Sequence, residues 1–249
     1  MSSSPTVYVV SGATRGIGLG LVTALVARPN VLVFAGARDP PSATALHALS
    51  AAHPGKLRVL KLVAGSTEDA KAAAETVKKE VGRVDVLIAN AGIGNVFATA
   101  HEIKPEEVDK HFKVNTLGTL IFYQAFHALL LASPAAPKFV VISTVGGSIE
   151  VGAALPLGLA AYGTSKAALN FLTREIHFEN ERFVAFAVHP GTVDTDAAKL
   201  VGELVPAAAA IPHISVAESA RTVLARVDEA TREKNGGRFV TNDGDFVAW

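Results

Sequence analysis

Short runs that are apolar at nearly every position alternate along the chain with longer stretches whose apolar residues recur every three or four places. The runs lie at 6–10 (T-V-Y-V-V), 31–37 (V-L-V-F-A-G-A), 57–63 (L-R-V-L-K-L-V), 84–89 (V-D-V-L-I-A), 138–143 (K-F-V-V-I-S), 182–188 (R-F-V-A-F-A-V) and 238–241 (R-F-V-T). A strand with one wet face alternates apolar and polar residues. A strand apolar throughout is covered on both faces, as in a parallel sheet between helix layers. Helical periodicity fills the gaps, over 17–28, 42–52, 67–81, 105–131, 161–179 and 216–233. Three of these carry start signals: Ser66 with Asp69, Pro105 followed by Glu106 and Glu107, and Ser215 with Glu218. The alternation predicts an α/β fold, a three-layer doubly wound parallel sheet of Rossmann type. No repeat, linker or break in composition interrupts it, so residues 1–249 read as a single domain. The stretch 191–212 fits neither period, and a long excursion there reads as a substrate lid.

Composition narrows the function classes. Hydrophobic residues make up 49% of the chain, ample for a large core, and 23 basic residues balance 23 acidic ones. With no run of like charges, no nucleic-acid partner is expected. The absence of Cys excludes disulfides, thiol catalysis and thiolate ligands. The eight His lack metal-ligand spacing, so no metal is assigned. The apolar stretch near the N-terminus is too short for a signal core. The most apolar long segment, 117–132, contains Gln124 and His127 and falls short of the ~20 residues a membrane span needs. A soluble cytoplasmic protein without a membrane partner is expected.

Chemistry enters with S-G-A-T-R-G-I-G at 11–18. Gly12, Gly16 and Gly18 follow the first strand and open the first helix, with Thr14, Arg15 and Ile17 between them. Such a turn brings backbone N–H groups and a helix N-terminus to a pyrophosphate. The spacing is G-x-x-x-G-x-G rather than the commoner G-x-G-x-x-G. At the end of the second strand an acidic residue binds a ribose 2′-hydroxyl and a basic one accepts a 2′-phosphate. In F-A-G-A-R-D, Ala37 holds the place of the acid and Arg38 follows. Arg15 can reach the same phosphate, so the pair predicts NADP(H). A shift of one residue would put Asp39 there and reverse the prediction.

Tyr162 and Lys166, in A-A-Y-G-T-S-K, lie four residues apart and share a helix face. The ammonium can lower the phenol's pKa and make it a usable proton donor or acceptor. Ser143 closes a strand-like run about twenty residues earlier. With a nucleotide nearby, this set can move a hydride and a proton to or from a carbonyl.

Together these residues resemble the short-chain dehydrogenase/reductase family over nearly the whole chain. The motifs stand in the family's order: S-G-A-T-R-G-I-G at 11–18, A-N-A-G at 89–92, K-V-N-T at 113–116, I-S-T at 142–144, Y-G-T-S-K at 162–166 and H-P-G-T-V-D-T at 189–195. The tail G-G-R-F-V-T-N-D-G-D-F-V-A-W resembles a subgroup of sniffer-type carbonyl reductases, C-factor-like proteins and norsolorinic acid ketoreductases. The resemblance implies catalysis by Asn115, Ser143, Tyr162 and Lys166. In that scheme Ser143 and Tyr162 donate to the substrate oxygen, Lys166 binds the nicotinamide ribose, and Asn115 kinks the central helix and holds a relay water. It implies cofactor contacts from Asn90, Ala91 and Gly92, and from Pro190, Gly191, Val193 and Thr195 around the nicotinamide. Val63 stands where the family usually has an aspartate for the adenine amine, leaving Ser66 or backbone to that task. A homodimer or homotetramer through the two long central helices is implied as well.

The small and aliphatic residues of 94–97, 145–159 and 193–212 suggest an apolar pocket for an aromatic or alicyclic carbonyl or alcohol. A nucleotide-sensing scaffold has no need of the Ser–Tyr–Lys set. A sugar-nucleotide epimerase would show G-x-x-G-x-x-G and a larger C-terminal region.

Overall fold

The computed structural model describes residues 4–205, 208 and 210–249. Seven strands, β1 (Thr6–Val10), β2 (Val31–Ala37), β3 (Leu57–Lys61), β4 (Val86–Ala89), β5 (Lys138–Ile142), β6 (Val184–His189) and β7 (Phe239–Thr241), form one sheet. Their order is β3-β2-β1-β4-β5-β6-β7, with every neighbouring pair parallel. The chain winds outward from β1 to β3, then crosses to β4 on the other side of β1. That reversal opens a crevice at the carboxyl ends of β1 and β4, where open α/β sheets bind ligands.

The helices are α1 (Gly16–Val26), α2 (Thr44–Ala52), α3 (Thr67–Glu80), α4 (Pro105–His111), α5 (Gly118–Leu131), α6 (Ala160–Glu179), α7 (Asp196–Leu204) and α8 (Val216–Glu229). They cover both faces of the sheet. Within β1, Tyr8 and Val10 enter one core with Leu21, Leu25, Val223 and Leu224, while Val7 and Val9 enter the other with Val77, Phe126 and Leu169. Alternate side chains therefore serve opposite cores, which is why the strands read as unbroken apolar runs.

The start signals act as expected at all three helices, and α4 opens on Pro105 with Glu106 and Glu107 in its first turn. Ser66 Oγ accepts from the Asp69 amide at 3.1 Å and Ser215 Oγ from the Glu218 amide at 3.1 Å. Several boundaries differ. The first helix ends at Val26 and the last at Glu229, not at 28 and 233. Pro40–Ser42 forms a separate 3₁₀ turn before α2. Strand β3 stops at Lys61.

Two differences are larger. The excursion 191–212 contains a nine-residue helix, α7. Its base is held by a parallel bridge between Val193 and Ile214, with Asp194 N donating to Ile214 O at 3.0 Å. Residues 206, 207 and 209 of this stretch lie outside the described residues. The central segment covers the expected 105–131, but not as one regular helix. A π-helical turn, Phe112–Leu117, joins α4 to α5, making Pro105–Leu131 one run of 27 residues. By length and composition that run could cross a bilayer. Half of its apolar window is buried, with Phe122, Phe126 and Leu130 in the core beside Val77 of α3, the pattern of a core helix.

Candidate active site

The glycine turn between β1 and α1 is shaped by close approach. Gly12 and Gly16 have φ of 63° and 52°, which favours glycine. A Cβ on Gly12 would sit 2.8 Å from Ala91 Cα, and one on Gly18 would strike the Gly12 carbonyl and Asn90 Nδ2. Asn90 Nδ2 donates to the carbonyls of Ser11 and Gly12, each at 3.0 Å. Ser11 Oγ accepts from the amides of Asn90 (3.0 Å) and Ala91 (3.1 Å). This lacing fixes the turn against the end of β4. Arg15 precedes α1 without a side-chain cap. The first-turn amides of α1 have no acceptor within the helix and carry its positive end. A tight glycine cradle under an uncapped helix start fits the pyrophosphate of a dinucleotide.

The two arginines differ. Arg38 is exposed and has no hydrogen bond or ion pair among the described residues, with Asp39 exposed beside it. Arg15 Nη1 lies 3.6 Å from Asp196 Oδ2 at the start of α7. A Cβ on Gly16 would lie 3.5 Å from Thr195 Cγ2, so the glycine loop and the 193–196 segment face each other across the crevice. Thr195 Oγ caps α7, accepting from Ala198 N at 3.2 Å. The Pro190 carbonyl accepts from Ser219 Oγ at 2.7 Å, and Gly191 has φ of 86°. Near Ala91, a small pocket is lined by Leu62, Val63, Ala64, Ser66 and Thr119 among others, with no carboxylate. The Ser66 hydroxyl there is already the cap of α3.

Beyond the crevice lie the four residues of the expected catalytic set. Asn115 is fully buried inside the π-helical turn. Its Oδ1 accepts from Ile93 N (2.7 Å), and its Nδ2 donates to Ile93 O and to Ser165 Oγ (each 2.9 Å). Ser165 Oγ in turn donates to the Tyr162 carbonyl at 2.7 Å. Asn115 thus ties the segment after β4 to α6. A Cβ on Gly92 would sit 3.1 Å from Asn115 Oδ1 and 3.6 Å from Lys166 Nζ, so these groups share one corner. The backbone of Gly94 lies against the Tyr162 ring, where a Cβ would be 3.2 Å from Cδ2 and Cε2. The Tyr162 hydroxyl has no hydrogen-bond partner among the described residues.

Spacing put the phenol and ammonium on one face, but the expected lowering of the phenol's pKa is reversed. Lys166 Nζ lies 5.8 Å from the Tyr162 ring centroid and donates to the Ile142 carbonyl at 2.8 Å. Burial is the larger effect on both groups: it pushes Tyr162 up to about 12 and Lys166 down to about 8. Tyr162 keeps part of its surface open, so the crowding acts mainly on its inner side. At neutral pH the phenol is protonated and the ammonium is charged. Ser143, also buried, donates its hydroxyl to Asn170 Oδ1 at 2.6 Å. Ser11 and Ser165 stand inside the quoted motifs and Gly94 in an expected pocket wall, but their contacts, like those of Asn170, are made with other segments and left no signal in the sequence pattern.

The fold is that of a short-chain dehydrogenase, and the chain belongs to that family: the "short chain dehydrogenase" model matches residues 6–204. The family uses nicotinamide cofactors. Among its relatives is the norsolorinic acid ketoreductase of Aspergillus parasiticus, 38% identical over 98% of this chain and 91% of that one. Among solved structures, the NADPH-bound carbonyl reductase from chicken fatty liver superposes with a TM-score of 0.87 at 31% identity, covering 99% of this chain and all of that one. The carbonyl reductase Sniffer of D. melanogaster gives 0.85 at 25% identity, covering 99% and 100%. The chain is therefore an oxidoreductase with ketoreductase and carbonyl-reductase relatives.

Proposed function

We propose that this protein reduces the carbonyl of an apolar, aromatic or alicyclic substrate to an alcohol with NADPH. The observation that carries the reading is the Tyr162 hydroxyl. It is protonated and has no partner among the described residues, and it shares one end of the crevice with Ser143, Asn115 and Lys166. Gly12, Thr14, Gly16, Ile17 and Gly18 would hold the pyrophosphate, and Arg15 and Arg38 the 2′-phosphate. Asn90, Ala91 and Gly92, and Pro190, Gly191, Val193 and Thr195, would line the remaining cofactor contacts. A bound reduced nicotinamide supplies the hydride. Tyr162 gives its proton to the substrate oxygen, Ser143 hydrogen-bonds that oxygen, and the charged Lys166 makes reprotonation of the phenol favourable. Asn115 keeps the Tyr162 turn of α6 in place through Ser165.

The substrate class is supported by exposed apolar side chains on the two segments bordering the crevice. Ile149, Val151 and Leu155 lie on the β5–α6 connection, and Leu204 and Ile211 on the proposed lid. A panel of aromatic and alicyclic ketones against short polar oxo-acids, each with NADPH and NADH, tests the reading. Turnover of the ketones with NADPH is expected, and preference for the acids would refute it. For the cofactor, Arg38→Ala should weaken NADPH binding by roughly tenfold, the worth of one charge-assisted hydrogen bond, and leave NADH unchanged. Equal losses with both, by fluorescence titration, would show that Arg38 does not meet the 2′-phosphate.

A further inference from the structure

The connection from β5 to α6 borders the crevice and carries Ile149, Val151 and Leu155, all exposed. Its far end is pinned where Ala98 N donates to Gly158 O at 2.9 Å, and its near end folds on itself, with Ser148 Oγ accepting from Val151 N at 3.0 Å. Between Ile149 and Leu157, one hydrogen bond among the described residues leaves the connection: Glu150 N donates to Trp249 O at 3.2 Å. That oxygen belongs to the segment after β7. There the chain doubles back, with Thr241 N donating to Asp245 O and Val247 N to Phe239 O, each at 2.8 Å. Beyond Val247, the bond to Glu150 is the one backbone hydrogen bond that holds the segment among the described residues.

A lone bond between two wet segments gains little against water. It lasts if its acceptor is held in place, and the indole does the holding. The half-buried Trp249 ring lies 5.8 Å from that of Phe239, which is 1% exposed. The Arg174 guanidinium, on α6, stands 5.4 Å from the indole centroid, and its Nη1 donates to Gly237 O at 2.6 Å. The ring therefore packs on both β7 and α6, and its own carbonyl meets the connection.

We infer that Trp249 is a positioning residue that fastens the β5–α6 connection and so sets the apolar wall that selects substrates by size. This deepens the carbonyl-reductase reading above and rests on it. Without the indole the connection loses its tie, while the Tyr162 corner and the glycine cradle keep theirs. A two-ring ketone reaches the wall and loses contact. A small ketone does not reach it.

The test compares wild type, Trp249→Ala, Trp249→Phe, Glu150→Pro and the pair Trp249→Ala with Glu150→Pro, using tetralone and cyclopentanone with NADPH. Trp249→Ala should raise KM for tetralone roughly tenfold, the scale of losing one or two CH₂ groups of apolar contact. Its kcat, its KM for cyclopentanone and its NADPH affinity should not change. Trp249→Phe keeps a ring on Phe239 and Arg174 and should restore most of the loss. Glu150→Pro removes the donor N–H and should raise the same KM, and adding Trp249→Ala to it should cost nothing further. If Trp249→Ala does not fold, Glu150→Pro carries the test by the same selective rise. Independently of turnover, amide hydrogen exchange across 149–157 should quicken by roughly tenfold in Trp249→Ala, with the sheet unchanged. Equal losses for both ketones, losses that multiply in the pair, or unchanged exchange would overturn the inference alone. No turnover of either ketone by the wild type would overturn the reading of the site, and with it the role given to the wall.

Discussion

Tyr162→Phe is expected to cut carbonyl reduction by roughly 10²–10⁴-fold, the usual worth of a positioned general acid, while the protein folds and binds dinucleotide as before. The hydroxyl has no partner among the described residues, so its removal leaves no buried group unpaired. The ring stays, and with it the contact to the Gly94 backbone. Burial holds the phenol up to about 12, so it carries its proton throughout the neutral range. That suits the reductive direction, in which the substrate oxygen must receive a proton. Initial rates with a ketone, beside a fluorescence titration with NADPH, separate chemistry from binding. A variant that keeps turnover would remove Tyr162 from the mechanism.

Lys166→Met is expected to lower turnover by roughly 10²-fold or more, as loss of a preorganised charge at a reacting centre does, and also to change how stability depends on pH. Burial brings the ammonium down to about 8 from its ordinary 10.5. Between those values the folded protein binds fewer protons than the unfolded chain. The stability lost by burying the charge is therefore recovered as pH rises through that window. Tyr162 opposes this only above 10, because its folded pKa is raised and the stability from its bound proton is lost there. From about pH 7 to about pH 10 the wild type should gain on the Met variant, by at most about 3 kcal/mol. Reduction by the wild type should decline above pH 8 as the ammonium loses its charge. Denaturant unfolding at both pH values measures the first effect, and parallel shifts in the two proteins would contradict it.

Much of the fold was legible because burial on both faces leaves a mark. Runs such as 6–10 and 31–37 could only be strands between two helix layers, and the caps at Ser66 and Ser215 announce their helices. What was hidden depended on distant partners. Helix α7 carries an apolar stripe (Ala197, Leu200, Val201 and Leu204) but is only nine residues long and buries none of them, and the stretch 191–212 around it fits neither period as a whole. The resemblance implied an irregularity at Asn115, but not its form, a π-helical turn held by that amide's bonds to Ile93 and Ser165 on other segments. The reversed pKa shift of Tyr162 has the same origin. Spacing sets the phenol and ammonium on one face but says nothing of the burial that the surrounding segments impose on both. Asn170 shows the limit most plainly, because the serine that donates to it is 27 residues away along the chain.

The central claim is that this chain delivers a hydride and the Tyr162 proton to one carbonyl. The most direct measurement uses NADPH deuterated at its transferable position with an aromatic ketone, and product analysis by mass spectrometry. The account predicts an alcohol labelled at the carbinol carbon from the wild type, and almost none from Tyr162→Phe in the same time. An unlabelled alcohol, or labelled product formed equally fast by both proteins, would contradict it.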